Sequence, residues 1–114
     1  MDGIHSWHAH VYYDPATTRH LAEALREEIG AKFTAKLGRW HDALVGPHPN
    51  SMYQIAFEND VFPDLVPYLA LHRRGLTILV HPETGNELED HRDHAMWMGA
   101  VLPLNFSVLK GGHD

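Results

Sequence analysis

One short stretch near the start of the chain, Ser6 to Tyr13, restricts the fold more than any other segment. Its letters, SWHAHVYY, are mostly aromatic or β-branched, and the turn signal Asp14-Pro15 follows them, so the stretch predicts a β-strand. Successive side chains of a strand point to opposite faces of its sheet. The apolar face therefore carries Trp7, Ala9, Val11 and Tyr13, and the opposite face carries His8, His10 and Tyr12. Such a strand needs a core on one side, and it places two imidazoles where both can reach one point above the other side.

The spacing of apolar residues predicts a further series of short helices and strands. Alternation with a period of two favours strands, and a longer period close to one helical turn favours helices. After the first strand we expect a helix over 15–30 capped by Asp14 and ended by Gly30, a strand over 32–41, a loop over 42–50, a strand over 51–57, a helix over 59–75, a strand over 76–80, a turn over 83–86, a short helix over 89–98 and a fifth strand within 101–109. Pro63 and Pro67 predict that the 59–75 helix is firm only in its second half.

The order strand, helix, strand, strand, helix, strand predicts an α+β, ferredoxin-like βαββαβ fold with an antiparallel sheet and a C-terminal extension. Right-handed crossovers place the third strand between the first and second, and the first strand between the third and fourth. In that order the end of the fourth strand, at His81, lies beside His8 and His10 on the same face. We expect a single domain over 1–114, because 114 residues are enough for one core but not for two.

The two long helices cover only one face of this sheet, so the other face needs a second cover. Tyr12, Met52 and Leu79 lie on that face and would be poor surface residues. The cover can come from the segment after Gly85, from a second subunit, or from both. We therefore expect a homodimer.

Charge and composition exclude several classes of function. The chain has 15 acidic and 9 basic residues, a net charge of −6 and no basic run, which argues against nucleic acid or an anionic membrane as its partner. It has no apolar stretch long enough to span a bilayer and no basic-then-apolar leader, so we expect a soluble cytoplasmic protein. Because it has no cysteine, disulfides, iron–sulfur clusters and thiolate-bound zinc are excluded, and any metal must bind to nitrogen and oxygen.

Histidine is the unusual residue of this chain, which has 11 of them spread along its length. Neutral imidazole binds Fe(II), Zn, Cu or Ni, and carboxylates complete the harder sites. His8, His10 and His81 could supply three nitrogens to one metal ion. Alternatively, two of these histidines bind the metal together with a carboxylate from Glu83, Glu87, Glu89 or Asp90.

Other residues are candidates for acid–base chemistry or for orienting the metal ligands. Histidine gains and loses a proton near neutral pH, so His48, His91 and His94 are candidate acid–base groups. The two prolines of Gly46-Pro47-His48-Pro49 restrict the backbone on both sides of His48. Residues that could orient a ligand or contact a substrate are Tyr12, Asp90 and His94. We expect solvated or structural roles for His5, His20, His72 and His113.

Four segments together resemble the DOPA 4,5-dioxygenase family. They are WHAHVYY at 7–13, GPHP at 46–49, LVHPETG at 79–85 and DHRDHAMWMG at 90–99, in this order along the chain. The resemblance extends over about residues 5–109. It supports functional roles for His10, His48, His81, His91 and His94, with His41 as a further candidate.

This resemblance implies a ferredoxin-like fold and the extradiol cleavage of a catechol ring by O2 at a non-haem iron. It implies a small aromatic substrate such as DOPA, with Fe(II) as the expected cofactor and zinc or another divalent metal as the alternative. The group that exchanges a proton with the catechol would be His48 or His91. Two other hypotheses remain open, namely a non-catalytic dimeric module that binds a metal and a zinc-dependent enzyme of another reaction class.

Overall fold

A five-stranded sheet with its two long helices on one face organises residues 3–111, which are the part of the chain that our computed structural model describes. Its elements are β1 (Ser6–Tyr13), α1 (Arg19–Lys32), β2 (Lys36–Leu37), β3 (Ser51–Phe57), α2 (Phe62–His72), β4 (Ile78–Glu83), α3 (Glu87–Arg92), β5 (Met96–Met98) and a short 3₁₀ helix (Phe106–Val108). The strand order is β2-β3-β1-β4-β5, and each neighbouring pair is antiparallel. This is the predicted α+β, ferredoxin-like arrangement. The prediction for His113 falls outside the described residues.

The apolar face of β1 forms the centre of the main core, as its alternation predicts. The core contains Trp7, Ala9, Val11 and Tyr13 of β1, Leu25 and Ile29 of α1, and Leu65 and Leu69 of α2. Burying one leucine or isoleucine side chain stabilises a fold by about 1.5–3 kcal/mol. The two helices therefore fix β1 from one side and leave its other face to the polar rings.

The pairing of β1 with β4 sets the positions of three histidines. His8 lies directly opposite His81, and His10 lies opposite Leu79. Residues that are directly opposite point to the same face of a sheet, and side chains two apart on one strand do so as well. His8, His10 and His81 therefore share the face away from α1 and α2, which confirms the register predicted from topology.

Two predicted boundaries of α1 are wrong. Asp14 does not cap the helix: its carboxylate accepts the N–H of Ala16 at 2.8 Å in a turn, and α1 begins only at Arg19. The side chain of an aspartate readily accepts a hydrogen bond from the backbone N–H two residues later, and this turn competes with helix capping. Gly30 does not end the helix, because it is not among the glycines with positive φ and the helix continues to Lys32.

The strand predicted over 32–41 is reduced to β2 and to an isolated bridge between His41 and Met52. The start of the predicted strand is lost because α1 extends to Lys32. The prediction of its buried face is confirmed by the residues that pack against the main core, which are Phe33, Ala35 and Leu37.

α2 is helical from Phe62 onwards, so the predicted loose start is wrong. Pro63 lies in the first turn, where a missing N–H removes no intrahelical hydrogen bond. Pro67 lies inside the helix and does remove one. The complete burial of Leu65 and Leu69 compensates for that loss.

The largest corrections concern the C-terminal third of the chain. β4 continues to Glu83 rather than ending at Val80. The predicted helix over 89–98 is divided, because α3 ends at Arg92 and Met96–Met98 forms β5, which pairs with the outer edge of β4. That edge would otherwise leave its backbone groups unpaired. Between residues 101 and 109, the 3₁₀ helix replaces the predicted fifth strand.

The segment after Gly85 covers the second face of the sheet, which is one of the alternatives that the sequence leaves open. Leu104 packs there with Tyr12, Met52 and Leu79, and all four side chains are buried. The homodimer stays a prediction. Within residues 3–111, no helix is both long enough and apolar enough to cross a membrane.

Candidate metal centre and active site

Three histidines that the sequence singles out as metal ligands lie together on the sheet face opposite the main core. One ring nitrogen from each of His8, His10 and His81 lies within 4.8 Å of the other two, so this group could hold a metal ion. His10 and His81 are almost completely buried, and their Nε2 atoms are 3.0 Å apart. Two nitrogen ligands about 2.1 Å from one metal ion, at right angles to each other, are about 3.0 Å apart. The observed separation therefore fits a shared ion.

The hydrogen bonds of the two buried imidazoles indicate which ring nitrogens are free to bind a metal. His81 Nδ1 lies 3.0 Å from the carbonyl oxygen of Pro82, which can only accept, so His81 carries its proton on Nδ1 and a lone pair on Nε2. A backbone acceptor of this kind is the usual second partner of a metal-bound imidazole. In the described part of the chain, His10 Nδ1 is buried with no hydrogen-bond partner. At the other nitrogen, His10 Nε2 either donates to the lone pair of His81 Nε2 or shares a cation with it.

Burial keeps both imidazoles neutral, which is the form that binds a metal. Loss of solvent, and then the charges of His48 and His81, lower the pKa of His10 well below its usual range. Burial, and then the charge of His91, lowers the pKa of His81 to about 3. Both rings therefore keep a nitrogen lone pair at neutral pH.

His8 is the most accessible of the three histidines, and it has an acidic neighbour. Its Nε2 lies 3.3 Å from one carboxylate oxygen of Glu83, whose other oxygen lies 3.9 Å from His81 Nδ1. Burial, and then the charges of Asp90 and Glu87, raise the pKa of Glu83. Glu83 is thus a carboxylate that can complete the metal site beside His8 or in its place.

His48 reaches the cluster from the loop between β2 and β3. Its Nδ1 is 2.7 Å from the hydroxyl of Tyr12, and its ring centre is 4.3 Å from that of His10. The backbone N–H of Asn105 donates to the carbonyl of Pro47 at 2.9 Å. The C-terminal segment therefore helps to hold the loop that carries His48.

His91 joins the cluster from α3. Its Nδ1 lies 2.7 Å from the carbonyl oxygen of Glu87, one helical turn earlier, and this contact orients the ring. Its ring centre is 4.0 Å from that of His81, 6.1 Å from that of His10 and 6.4 Å from that of His48. Five imidazoles from four segments of the chain, namely β1, the loop before β3, β4 and α3, therefore surround one small volume.

Burial and neighbouring imidazoles also make it harder for His48 and His8 to become charged. Burial, and then the charges of His91 and His41, lower the pKa of His48 to about 4. Burial, and then the charge of His91, also lowers the pKa of His8. His41, the further candidate from the family resemblance, thus influences the cluster from its position at the edge of the sheet. The lowered pKa values favour the neutral form of His8, His10, His48 and His81, and neutral imidazole can bind a metal.

Asp90 and His94 lie beside the cluster rather than in it. The buried carboxylate of Asp90 accepts hydrogen bonds from the N–H and the hydroxyl of Thr84, at 2.8 and 2.7 Å. It therefore holds the turn that follows β4. His94 is exposed over 45% of its side chain, and its Nδ1 lies 3.3 Å from Asp90. A direct role for either residue in catalysis stays a prediction.

Trp97 is a residue near the cluster that sequence reasoning missed. Its ring stacks on that of Tyr12, with planes 19° apart and centres 6.1 Å apart. The three apolar residues of β5 carry a strand signal, but so short a run cannot be distinguished from the end of a helix. Among the histidines expected to be structural or solvated, His5 and His20 are exposed, and His72 stacks on Tyr68.

Two known proteins have sequences similar to that of this chain. The chain is 35% identical over 114 residues to DOPA 4,5-dioxygenase of Amanita muscaria, an alignment that covers 93% of this chain and 50% of that protein. It is 34% identical to an uncharacterized 21.2 kDa protein of Botryotinia fuckeliana, covering 94% of this chain and 62% of that protein. The chain thus spans about half to three-fifths of the length of these relatives.

A solved structure provides the same comparison in three dimensions. The crystal structure of a candidate dioxygenase from Nostoc punctiforme matches with a TM-score of 0.90 and 50% sequence identity, covering 93% of this chain and 91% of that chain. The model of the Dopa 4,5-dioxygenase family matches residues 7–108, a range that includes all five histidines of the cluster. The chain therefore belongs to the Dopa 4,5-dioxygenase family.

Proposed function

We propose that this chain is a metal-dependent extradiol dioxygenase that opens the ring of a catechol by inserting both atoms of O2. The observation that carries the proposal is the pair of buried imidazoles, His10 and His81, whose Nε2 atoms are 3.0 Å apart. Family membership supports oxygenase chemistry, and the name of the Amanita relative points to DOPA, a catechol, as the substrate class.

His10 and His81 would hold the metal, joined by His8 or by the carboxylate of Glu83. We propose Fe(II), because a site of neutral imidazoles with a nearby carboxylate suits it and because cleavage by O2 needs a redox-active metal. Bound there, Fe(II) would bring the catechol and O2 together and pass charge between them.

Two further histidines of the cluster would act in the proton transfer to and from the substrate. Ring opening breaks one C–C bond and adds two oxygen atoms, so catechol and O2 together contain every atom of the semialdehyde product. A proton that a catechol hydroxyl loses on binding must therefore be returned to the product. We assign this step to His48 and His91, one of which takes the proton while the other can donate a hydrogen bond to the substrate oxygen, and Tyr12 with Trp97 provides an aromatic wall beside them.

Oxygen uptake by the full chain is the direct test of this function. The protein is purified without oxygen, loaded with Fe(II) and mixed with L-DOPA, caffeate or protocatechuate while dissolved O2 and the absorbance of a yellow ring-opened product are recorded. We expect uptake that requires a catechol, and an exposed control variant, His20→Ala, should behave like the natural chain.

Either result of this experiment is informative. Uptake in proportion to the yellow product supports the dioxygenase, and the preferred catechol defines its substrate. No uptake by protein shown to contain iron would overturn the proposal and favour a non-catalytic module that binds a metal.

A further inference from the structure

The hydrogen bonds of a neutral histidine determine which of its two ring nitrogens carries the proton. One nitrogen donates and the other accepts, so a partner of known polarity at one nitrogen fixes the character of the other. His48 and His91 each have such a partner at Nδ1. The two partners have opposite polarity, and this difference separates the roles of the two rings.

The partner of His48 is a donor. The hydroxyl of Tyr12 is buried and has one proton, and the bond of 2.7 Å to His48 Nδ1 is the hydrogen bond that it makes within residues 3–111. If Nδ1 donated instead, the phenol proton would be buried without an acceptor, which costs about 1–3 kcal/mol. Tyr12 therefore donates to Nδ1, and His48 carries its own proton on Nε2.

The partner of His91 is an acceptor. A backbone carbonyl cannot donate, so the contact of 2.7 Å with Glu87 requires the proton of His91 to be on Nδ1. The helical spacing of four residues keeps this contact in place as long as α3 is folded. Nε2 of His91 therefore presents a bare lone pair.

We propose that His48 and His91 serve the reaction with opposite polarity, with His48 as a fixed hydrogen-bond donor through Nε2–H and His91 as the proton acceptor through Nε2. Tyr12 is then a positioning residue, because it acts on the substrate only by fixing the tautomer of His48. The catalytic roles rest on the proposed function, whereas the two tautomers do not.

The proposal defines the proton-transfer step. The O–H bond of a catechol hydroxyl breaks, its electron pair stays on the oxygen, and the proton forms a bond with Nε2 of His91. His48 keeps its proton and stabilises the negative charge by a hydrogen bond, because losing that proton would leave an unstable imidazolate. The proton on His91 returns to the ring-opened product, so no further reactant is needed. Removing one donor of this kind costs about 10²–10³ in kcat in other enzymes.

Long-range proton–nitrogen NMR spectra test the tautomers, because they distinguish protonated from bare ring nitrogens. The full chain is measured without metal and again with Zn²⁺, a redox-inert ion that replaces iron for this purpose. We expect Nε2–H at His48 and Nδ1–H at His91. In Tyr12→Phe, His48 should become a mixture of both tautomers while His91 is unchanged. Tyr68→Phe, which removes another phenol on the opposite side of the sheet, is the matched control and should alter neither ring.

Kinetics with a catechol test the roles. Tyr12→Phe should lower kcat by about 10–100-fold with little change in KM, because His48 still contacts the substrate but its Nε2 no longer always carries the proton. Nδ1–H at His48 in the natural chain, or an unchanged tautomer in Tyr12→Phe, would overturn the proposal without affecting the dioxygenase assignment. Zn²⁺ binding to His91 Nε2 would also overturn it, because that nitrogen could not then accept a proton. Absence of turnover with correct tautomers would refute the proposed function alone.

Discussion

Replacing the buried Asp90 by alanine should destabilise the fold although Asp90 is not assigned to the metal. Its carboxylate is only 1% exposed and accepts two short hydrogen bonds from Thr84. A hydrogen bond to a charged group contributes about 1.5–3 kcal/mol. Two lost bonds, offset in part because no carboxylate must then be desolvated, give an expected loss of about 2–4 kcal/mol in the free energy of unfolding.

Urea unfolding of the metal-free full chain measures this loss without a contribution from bound metal. Asp93→Ala is the matched control, because Asp93 is exposed and bonds to its neighbour Arg92, so its midpoint should stay that of the natural chain. Asp90→Asn should fall between the two, since the hydroxyl of Thr84 can reverse and accept from the amide. A loss below about 1 kcal/mol in Asp90→Ala would refute the reasoning, because it would show that the two bonds contribute little.

Three further predictions follow from other parts of the structure. Hydrogen bonds from Arg74 and then Tyr68 lower the pKa of Glu28 to about 2, so the stabilisation by Glu28 is complete above its ordinary pKa of 4.5 and is lost as pH falls towards 2. Glu28→Gln should remove this part of the pH dependence of unfolding, and an unchanged pH dependence would contradict the role of Glu28. His48→Ala should retain iron yet slow catechol turnover by about 10²–10³-fold, because one hydrogen-bond donor is lost, and loss of iron would instead make His48 a ligand. Light scattering should give twice the chain mass of 12.9 kDa if the predicted homodimer forms, whereas a mass of one chain would exclude it.

The topology could be predicted because it follows from local patterns that survive folding. Alternation fixes which face of β1 is buried, and the handedness of crossovers fixes which strands are neighbours. Together they place His81 beside His8 and His10 on one face without any knowledge of tertiary contacts, and the structure pairs His81 with His8. The metal candidates follow from that register, because two strands that pair in one way can bring only certain side chains together.

The C-terminal third was predicted less well because its structure depends on partners distant in the sequence. β5 exists because the edge of β4 offers hydrogen-bonding groups, and three residues carry no distinctive period. Trp97 and Leu104 consequently could not be assigned to the face of the histidine cluster in advance. Asp90 shows the same limit, since its contact with Thr84 depends on how the turn after β4 closes.

The tautomers of the histidines could not be predicted from the sequence at all. They depend on a phenol 36 residues away for His48, and on individual carbonyl groups for His81 and His91. Sequence patterns place side chains on faces, whereas the polarity of a hydrogen bond depends on individual atoms. A sequence can thus nominate a cluster of imidazoles without distinguishing ligand, donor and acceptor.

Metal content of the purified full chain tests the central claim most directly. The chain and its variants His10→Ala, His81→Ala and His20→Ala are loaded with Fe(II) under anaerobic conditions, freed of excess metal and analysed for iron per chain. We predict one iron per chain in the natural protein and in His20→Ala, and almost none in His10→Ala and His81→Ala. Full iron occupancy in His10→Ala or His81→Ala would contradict the assignment of the buried histidine pair as the metal site.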